Sequence, residues 1–304
     1  MSSSVSLSSP EKGPQLRTQC AICHHNSQPV FEKYGYWIRA CQNCGHHFAD
    51  LVPDVTHAQQ VYGDDYFEGG GAGYSDYLAE AKLLKKHGRR YGLKVNKYTK
   101  PGRLLDVGSA AGFILQGLID TGWQGMGIEP NDRVATYARE NLGLPVQTGT
   151  LEELSPQDFG NNTYDLITFI QVIPHFYNLR QALSVAASVT ASDGYWLIET
   201  WNRSSWTARV LGQGWHEYSP PSVLHWFSPE EIASLGSQFG FRVVAKGRPS
   251  KWINGGHAKS LLRYKFQDSA IGRLLIPLLN LVPDGMDFPY PAEDLFWILL
   301  QKSN

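Results

Sequence analysis

The chain has 304 residues, of which 42% are hydrophobic and 18% are charged, and its formal net charge is −1. This composition supports a sizeable buried core and excludes a globally disordered protein. The near-neutral charge disfavours the strongly basic surface that most nucleic-acid-binding proteins carry. The length fits one large domain with a small appendage.

The first segment, residues 1–17, is rich in serine and lacks the apolar core of a targeting signal, so we interpret it as a disordered tail. The longest apolar stretch near the other end, residues 271–282, is interrupted by glycine, arginine, proline and asparagine and is too short to span a bilayer. Together these features predict a cytoplasmic protein without a membrane span.

All four cysteines lie close together, as two C-x-x-C pairs separated by seventeen residues: Cys20, Cys23, Cys41 and Cys44. This spacing predicts a four-thiolate zinc site, which is structural because no coordination position stays open. Two disulfides are the alternative, and a reducing cytoplasm disfavours them. Residues 29–39 carry strand-forming residue types, so we expect a small zinc ribbon over residues 18–55.

The next segment, residues 60–98, is aromatic and glycine-rich and then helical. Its glycine run is flanked by tyrosines, which fits either a lid over a flat ligand or a linker with core aromatics. Residues 82–103 contain nine Lys or Arg and no acidic residue. This run could dock an acidic partner, but Leu84, His87 and Tyr91 recur at helical spacing, which favours a solvated helix face.

From residue 103 onwards, strand and helix patterns alternate. The predicted strands are residues 103–107, 125–128, the neighbourhood of Val146, 166–170, 195–199, 241–245 and 294–301. The predicted helices are residues 113–119, 131–142 with Asn131 as N-cap, 180–189, and one that begins at Ser228 and closes at Gly240. This alternation predicts an α/β fold, with seven strands in a mostly parallel Rossmann-like sheet covered on both faces by helices.

A glycine-containing turn, residues 104–112 (LLDVGSAAG), ends the first of these strands and opens the first helix. Such glycines permit a tight turn and close backbone approach to a ligand. Glu129, at the end of the second strand, stands where an acidic residue can hold both ribose hydroxyls. A nicotinamide cofactor prefers glycine at the position of Ala110, whereas Asp106 suits a cationic amino group. The motif therefore favours S-adenosylmethionine, which has an ammonium, a sulfonium and a ribose but no phosphate.

The segments LLDVGSAAG, GIEPN, YDLITFIQVIPHF and WLIET resemble the successive motifs of class I S-adenosylmethionine-dependent methyltransferases, over residues 60–304. The resemblance implies an antiparallel last strand, a methionine end surrounded by Asp106 and the glycines, and a ribose bound by Glu129. It implies these cofactor-binding residues: Tyr66, Tyr74, Asp106, Gly108, Ser109, Gly112, Glu129, Pro130, Thr150, Leu151 and Gln171. The zinc module is similar to those of certain sugar C-methyltransferases and ribosomal RNA methyltransferases.

Methyl transfer is an in-line displacement, so the protein must align the nucleophile with the methyl group. A hydroxyl or carbon acid also needs a base, and His175 and His225 are the candidates. Each could instead be a packed or surface histidine, and Pro174 stands where many relatives carry an acidic residue.

Residues 201–227 interrupt the α/β pattern with four tryptophans and two histidines. Long irregular insertions are usually functional, so we expect a substrate pocket here; the alternative is that the tryptophans plug the end of the sheet.

The chain lacks an Asn-Pro-Pro-Tyr type signature, which favours an oxygen or carbon acceptor on a sugar, aromatic or polyketide-like small molecule. An RNA methyltransferase that uses the zinc module and residues 82–103, a non-catalytic zinc-ribbon adaptor and a dehydrogenase, disfavoured by Ala110, are the alternatives. The oligomeric state is not indicated.

Overall fold

The computed structural model describes residues 17–56, 61, 78–254, 283, 287–290 and 292–303. The strands of this part are β1 (Ser27–Lys33), β2 (Tyr36–Cys41), β3 (His47–Ala49), β4 (Arg103–Val107), β5 (Gln124–Glu129), β6 (Val146–Thr148), β7 (Tyr164–Ile170), β8 (Thr190–Trp201), β9 (His225–Trp226), β10 (Phe241–Gly247), β11 (Lys251–Asn254), β12 (Asp287–Tyr290) and β13 (Leu295–Lys302). The α-helices are α1 (Ala81–Val95), α2 (Phe113–Ile119), α3 (Asp132–Leu142), α4 (Leu179–Val189), α5 (Trp206–Leu211) and α6 (Pro229–Gln238).

The larger sheet has seven strands in the order β6-β5-β4-β7-β8-β13-β10. The strands from β4 to β8 pair in parallel, and β13 runs antiparallel to both of its neighbours, β8 and β10. The chain leaves β4 towards β5 on one side and later returns to β7 on the other. This reversal of strand order opens a crevice beyond the carboxyl ends of the central strands, where such sheets bind ligands.

Apolar side chains cover both faces of this sheet, because alternate residues of each strand point to opposite sides. Leu105 and Ile167 join a core with residues of α4 and α6, whereas Leu104 and Leu166 join another with residues of α1, α2 and α3. The predicted α/β fold, with its antiparallel last strand, is confirmed. The structure extends β8 beyond the predicted residues 195–199 at both ends, because Thr190 pairs with Tyr164 of β7 and Trp201 pairs with Leu295 of β13.

The second sheet joins two parts of the chain that are distant in sequence. Its order is β1-β2-β3-β9, and all of its pairs are antiparallel. The first three strands form the N-terminal module, whereas β9 belongs to the 201–227 insertion and pairs with β3 through His47↔Trp226 and Phe48↔His225. The insertion therefore completes the sheet of the N-terminal module.

The tryptophans of the insertion divide between core and surface. Trp215 and Trp226 are buried in a cluster that also contains Ile38 of the N-terminal module, and each indole N–H has an acceptor, on Asp294 and Glu217 respectively. Trp206 is 71% exposed at the start of α5. For the two buried tryptophans, these contacts favour the core alternative over a pocket wall.

Helix α1 carries most of the basic run. It buries Gly88, Tyr91, Gly92 and Val95 along one face, while Lys82, Lys86 and Arg89 are exposed. This arrangement favours the solvated helix face. None of the described helices is both long enough and apolar enough to cross a membrane.

Candidate functional site

The four cysteines of the N-terminal module lie close together in the structure. Their sulfurs all lie within 4.8 Å of one another, and the Sγ of Cys23 lies 3.3 Å from that of Cys41 and 3.5 Å from that of Cys44. A tetrahedral zinc ion with Zn–S bonds of about 2.3 Å needs sulfurs about 3.8 Å apart, so only small movements separate this arrangement from a metal site. These residues could hold a metal ion.

Backbone N–H groups of both C-x-x-C turns contact the cysteine sulfurs. The backbone N–H of Ile22 points to the Sγ of Cys20 at 3.4 Å, and those of Asn43 and Cys44 point to the Sγ of Cys41 at 3.4 and 3.5 Å. Each C-x-x-C turn therefore stabilises a thiolate with its own amides, as a charge-assisted interaction does.

The glycine turn between β4 and α2 is fixed by its own packing. Gly108 has φ +69°, and a Cβ there would approach the Cγ2 of Val172 to 2.6 Å. Gly112 has φ +82°, and its Cβ would approach the side chain of Leu144 to 2.6 Å. The backbone amides of Gly108 and Ser109 both donate to the carbonyl of Ile128, at 2.9 and 3.0 Å. The turn is thereby tied to the end of β5.

Two buried carboxylates stand beside this turn, and burial raises the pKa of Asp106 and that of Glu129 to about 7. Asp106 accepts a hydrogen bond from Thr168, and Glu129 accepts one from each backbone N–H of Ala110 and Asn131. Neither carboxylate forms an ion pair with a described basic side chain. Each ionised carboxylate oxygen can accept two hydrogen bonds, so a ligand with a cationic group and hydroxyls fits this pair of acids.

The other predicted cofactor residues distribute around the same edge of the sheet. Ser109 is buried, and its Oγ has no hydrogen-bond partner among the described residues. Thr150 and Leu151 follow β6 and are also buried, and Gln171 follows β7. Pro130 comes directly after Glu129 at the end of β5. Tyr66 and Tyr74, with most of the predicted lid, lie outside the described residues.

His225, one of the two predicted bases, lies in β9 of the small sheet and is fully buried. Its Nε2 is 3.2 Å from Nη1 of Arg17, its Nδ1 is 3.1 Å from Nε2 of His46, and its ring stacks on those of His46 and Phe227. Burial holds its pKa well below the usual value. Both ring nitrogens are thus occupied by protein groups, which favours the packed-histidine alternative.

His175, the other predicted base, follows β7. Its Nδ1 lies 2.7 Å from the carbonyl of Ser222, and it also hydrogen-bonds the backbone of Gln171. Burial lowers its pKa. The side chain links the end of β7 to the insertion.

The structure also forms a cluster of polar side chains around Glu199, which the sequence analysis did not predict. Glu199, near the end of β8, is fully buried and accepts hydrogen bonds from Tyr91 and Gln171, and His87 Nε2 lies 2.9 Å from its Oε2. The helical spacing of His87 and Tyr91 was visible in the sequence, but their partner is more than a hundred residues away. The sequence signal for this partner was the acidic residue within the otherwise uncharged segment WLIET.

Comparisons with known proteins agree with this fold. Residues 80–246, more than half of the chain, match a family model described as a methyltransferase domain. Ubiquinone biosynthesis O-methyltransferase of Paramagnetospirillum magneticum is 28% identical over 151 residues, which are 46% of this chain and 59% of that protein. The protein of the same name from Bradyrhizobium diazoefficiens is 26% identical over 129 residues, which are 41% of this chain and 47% of that protein. The chain thus spans about half the length of these curated relatives.

Among solved structures, one chain in the complex between the Haloferax volcanii Trm112 methyltransferase activator and a methyltransferase superimposes with a TM-score of 0.50 and 13% identity, over 75% of this chain and 93% of that one. At this identity the likeness supports the fold. Together with the family match and the glycine turn beside two buried acids, it leads to one conclusion: the chain belongs to the class I S-adenosylmethionine-dependent methyltransferases.

Proposed function

We propose that the protein transfers the methyl group of S-adenosylmethionine to an oxygen or carbon atom of a small molecule. The observation that carries this proposal is the pair of buried carboxylates, Asp106 and Glu129, at the carboxyl ends of the adjacent strands β4 and β5. Burying two acids that have no basic partner among the described residues is unfavourable in the free protein. S-adenosylmethionine would supply the missing partners: its ammonium group would lie near Asp106 at the methionine end, and its ribose hydroxyls would donate hydrogen bonds to Glu129.

The small-molecule acceptor is supported by the relatives, whose names place them in ubiquinone biosynthesis as O-methyltransferases. An RNA methyltransferase would need basic side chains that are available to bind the RNA phosphates. Several basic side chains of α1 have other contacts: Lys85 pairs with Asp120 at 3.1 Å, and Lys94 lies over the ring of Trp297. RNA binding that falls steeply with salt concentration would favour that alternative.

We also infer that the metal of the four cysteines is zinc. Thiolates are soft ligands, and a closed tetrahedral set of four is typical of structural zinc. A reducing compartment such as the cytoplasm would keep the thiols available. When bound, the ion would stabilise the N-terminal module and leave no position for a substrate.

The test of cofactor binding is the Glu129→Ala variant. A carboxylate that accepts ribose hydroxyls makes charge-assisted bonds of about 1.5–3 kcal/mol each, so we expect S-adenosylmethionine affinity to fall by at least about tenfold. Isothermal titration calorimetry measures the change, and Glu140→Ala, an exposed residue of α3, is the control. Unchanged affinity in a folded Glu129→Ala variant would exclude the ribose assignment. Absence of binding by the parent protein would favour the non-catalytic adaptor.

A further inference from the structure

The buried carboxylate of Glu199 lies on the side of the crevice that the two cofactor acids leave open. Glu199 pairs in register with Ile170 at the end of β7, and β7 separates β8 from β4. Neighbouring strands are about 4.8 Å apart, so Glu199 lies about 10 Å across the sheet from the end of β4. Glu129 marks the opposite side, at the end of β5. In-line transfer requires the acceptor to approach the methyl carbon opposite the sulfur, and Glu199 lines the part of the crevice that Asp106 and Glu129 would leave for it.

His87 reaches this carboxylate from α1. Its Nε2 lies 2.9 Å from Oε2 of Glu199, and its side chain keeps 12% of its surface exposed. When Nε2 of His87 carries a proton and donates it to Glu199, Nδ1 of the neutral ring holds a lone pair that can accept a proton. No described residue forms a hydrogen bond to this Nδ1. A histidine with one nitrogen held by a buried carboxylate and the other available is arranged as a base.

Helix α1 brings His87 close to the cofactor turn. The next residue, Gly88, packs so tightly against α2 that a Cβ would lie 2.1 Å from the carbonyl oxygen of Ile114, two residues after Gly112. Tyr91, one turn further, is buried and donates its hydroxyl to Glu199. The helix is therefore fixed at the start of α2, directly beside the residues that end the glycine turn.

Glu199 also holds the end of β7. Its Oε1 accepts a hydrogen bond of 2.9 Å from Nε2 of Gln171, and its backbone carbonyl accepts one of 2.9 Å from the amide of Gln171. Gln171 has φ +59°, a left-handed conformation that is strained for a residue with a side chain and is typical of functional sites. One carboxylate thus orients two side chains at the edge of the crevice.

We propose that His87, positioned by Glu199, is the base of the methyl-transfer reaction and that the acceptor is a phenolic hydroxyl. This inference rests on the proposed function and specifies its acceptor. Nδ1 of His87 takes the proton from the phenol while the oxygen forms a bond to the methyl carbon. The carbon–sulfur bond breaks, and its electron pair stays on sulfur, which leaves as a neutral thioether. The imidazolium formed is paired with the Glu199 carboxylate and later returns the proton to solvent.

A phenol is the hydroxyl that suits this base. Phenols have a pKa of about 10, like tyrosine, which is within a few units of the imidazole value of about 6.5. An aliphatic hydroxyl is a far weaker acid than a phenol, so an imidazole takes its proton much less readily. His175 and His225 do not compete for this role, because protein groups engage their rings as described above.

The experiment compares two phenols as acceptors with radiolabelled S-adenosylmethionine in mildly alkaline buffer: phenol itself, which stays protonated there, and 4-nitrophenol, a stronger acid that is largely ionised. The variant is His87→Gln, whose amide can still donate to Glu199 and keep α1 in place. Arg89→Gln, an exposed change on the same helix, is the control. We expect His87→Gln to slow transfer to phenol by about 10²–10⁴-fold and transfer to 4-nitrophenol by less than about tenfold. Glu199→Gln should show the same selective loss.

Calorimetry with S-adenosylhomocysteine on each protein separates this inference from the proposed function. Cofactor affinity of His87→Gln within about twofold of the parent, with the selective loss, supports the inference. An equal loss for both phenols, no loss, or a parent that binds S-adenosylhomocysteine but methylates neither phenol overturns it and leaves the cofactor assignment standing. A parent that fails to bind S-adenosylhomocysteine overturns the proposed function and the inference with it.

Discussion

At the scale of single residues, the site is defined by three buried acids. Asp106 and Glu129 face the crevice on one side, and Glu199 anchors its other side through neutral donors and His87. Burial of Asp106 and Glu129 disfavours their charged forms, and the raised pKa of each follows from it. A cationic ligand reverses that effect, because it stabilises the ionised carboxylates.

This reversal predicts that S-adenosylmethionine binding releases protons. The pKa of Asp106 and that of Glu129 are about 7 in the free protein, and a bound cation lowers both, so affinity should rise between about pH 6 and about pH 8. Calorimetry at about pH 6.5, in buffers with different ionisation enthalpies, measures the released protons. S-adenosylhomocysteine lacks the sulfonium charge and should release fewer. Proton uptake, or affinity that falls over this pH range, would contradict the assignment of both acids.

At the scale of elements, the sequence predicts the features that depend on neighbouring residues and does not predict the contacts between distant segments. Helix α2 has the predicted bounds, and Asn131 caps α3 through the backbone N–H of Val134, because each signal lies within a few residues. The four clustered cysteines were equally readable from their spacing. The β3–β9 pairing and the His87–Glu199 contact could not be predicted, since they join segments more than a hundred residues apart whose patterns do not refer to each other.

The cap of α6 gives a prediction at this scale. Ser228 accepts a hydrogen bond of 3.2 Å from the amide of Glu231, and the Glu231 carboxylate accepts one of 2.8 Å from the amide of Ser228. Ser228→Ala removes half of this capping box and should lower the free energy of unfolding by about 0.5–2 kcal/mol. Urea denaturation measures the change. Ser234→Ala, at an exposed position of the same helix, should change stability by less than about 0.5 kcal/mol, and equal effects would argue against the capping role.

At the scale of the whole molecule, a buried polar network joins the N-terminal module to β9, to helix α6 and to the segment after β8. His46, two residues after Cys44, contacts His225 and lies 3.6 Å from the carboxylate of Glu231, which also pairs with Arg203. Groups of this kind are costly to bury unless all partners are in place. The integrity of the module should therefore affect the stability of the entire chain.

Cys41→Ser tests this connection. We expect parent protein to contain one zinc per chain by elemental analysis, and the variant to contain much less, because a thiolate ligand is lost. The variant should unfold in a single transition, lowered by more than about 4 °C, which corresponds to roughly 1–2 kcal/mol in a chain of this size. A chelator should shift the parent in the same direction and leave the variant unchanged. Two separate transitions, with the larger one at the parental temperature, would show that the module and the sheet unfold independently.

The pairing of β3 with β9 also bears on the order in which the protein is assembled. His46 and His225 meet although 179 positions separate them in the chain. Contacts of such high sequence separation form late, because the entropy of closing a long loop must be overcome first. During synthesis, the cysteine-bearing segment leaves the ribosome long before β9 exists. The cysteine-bearing segment therefore emerges well before the strand that completes its native contacts.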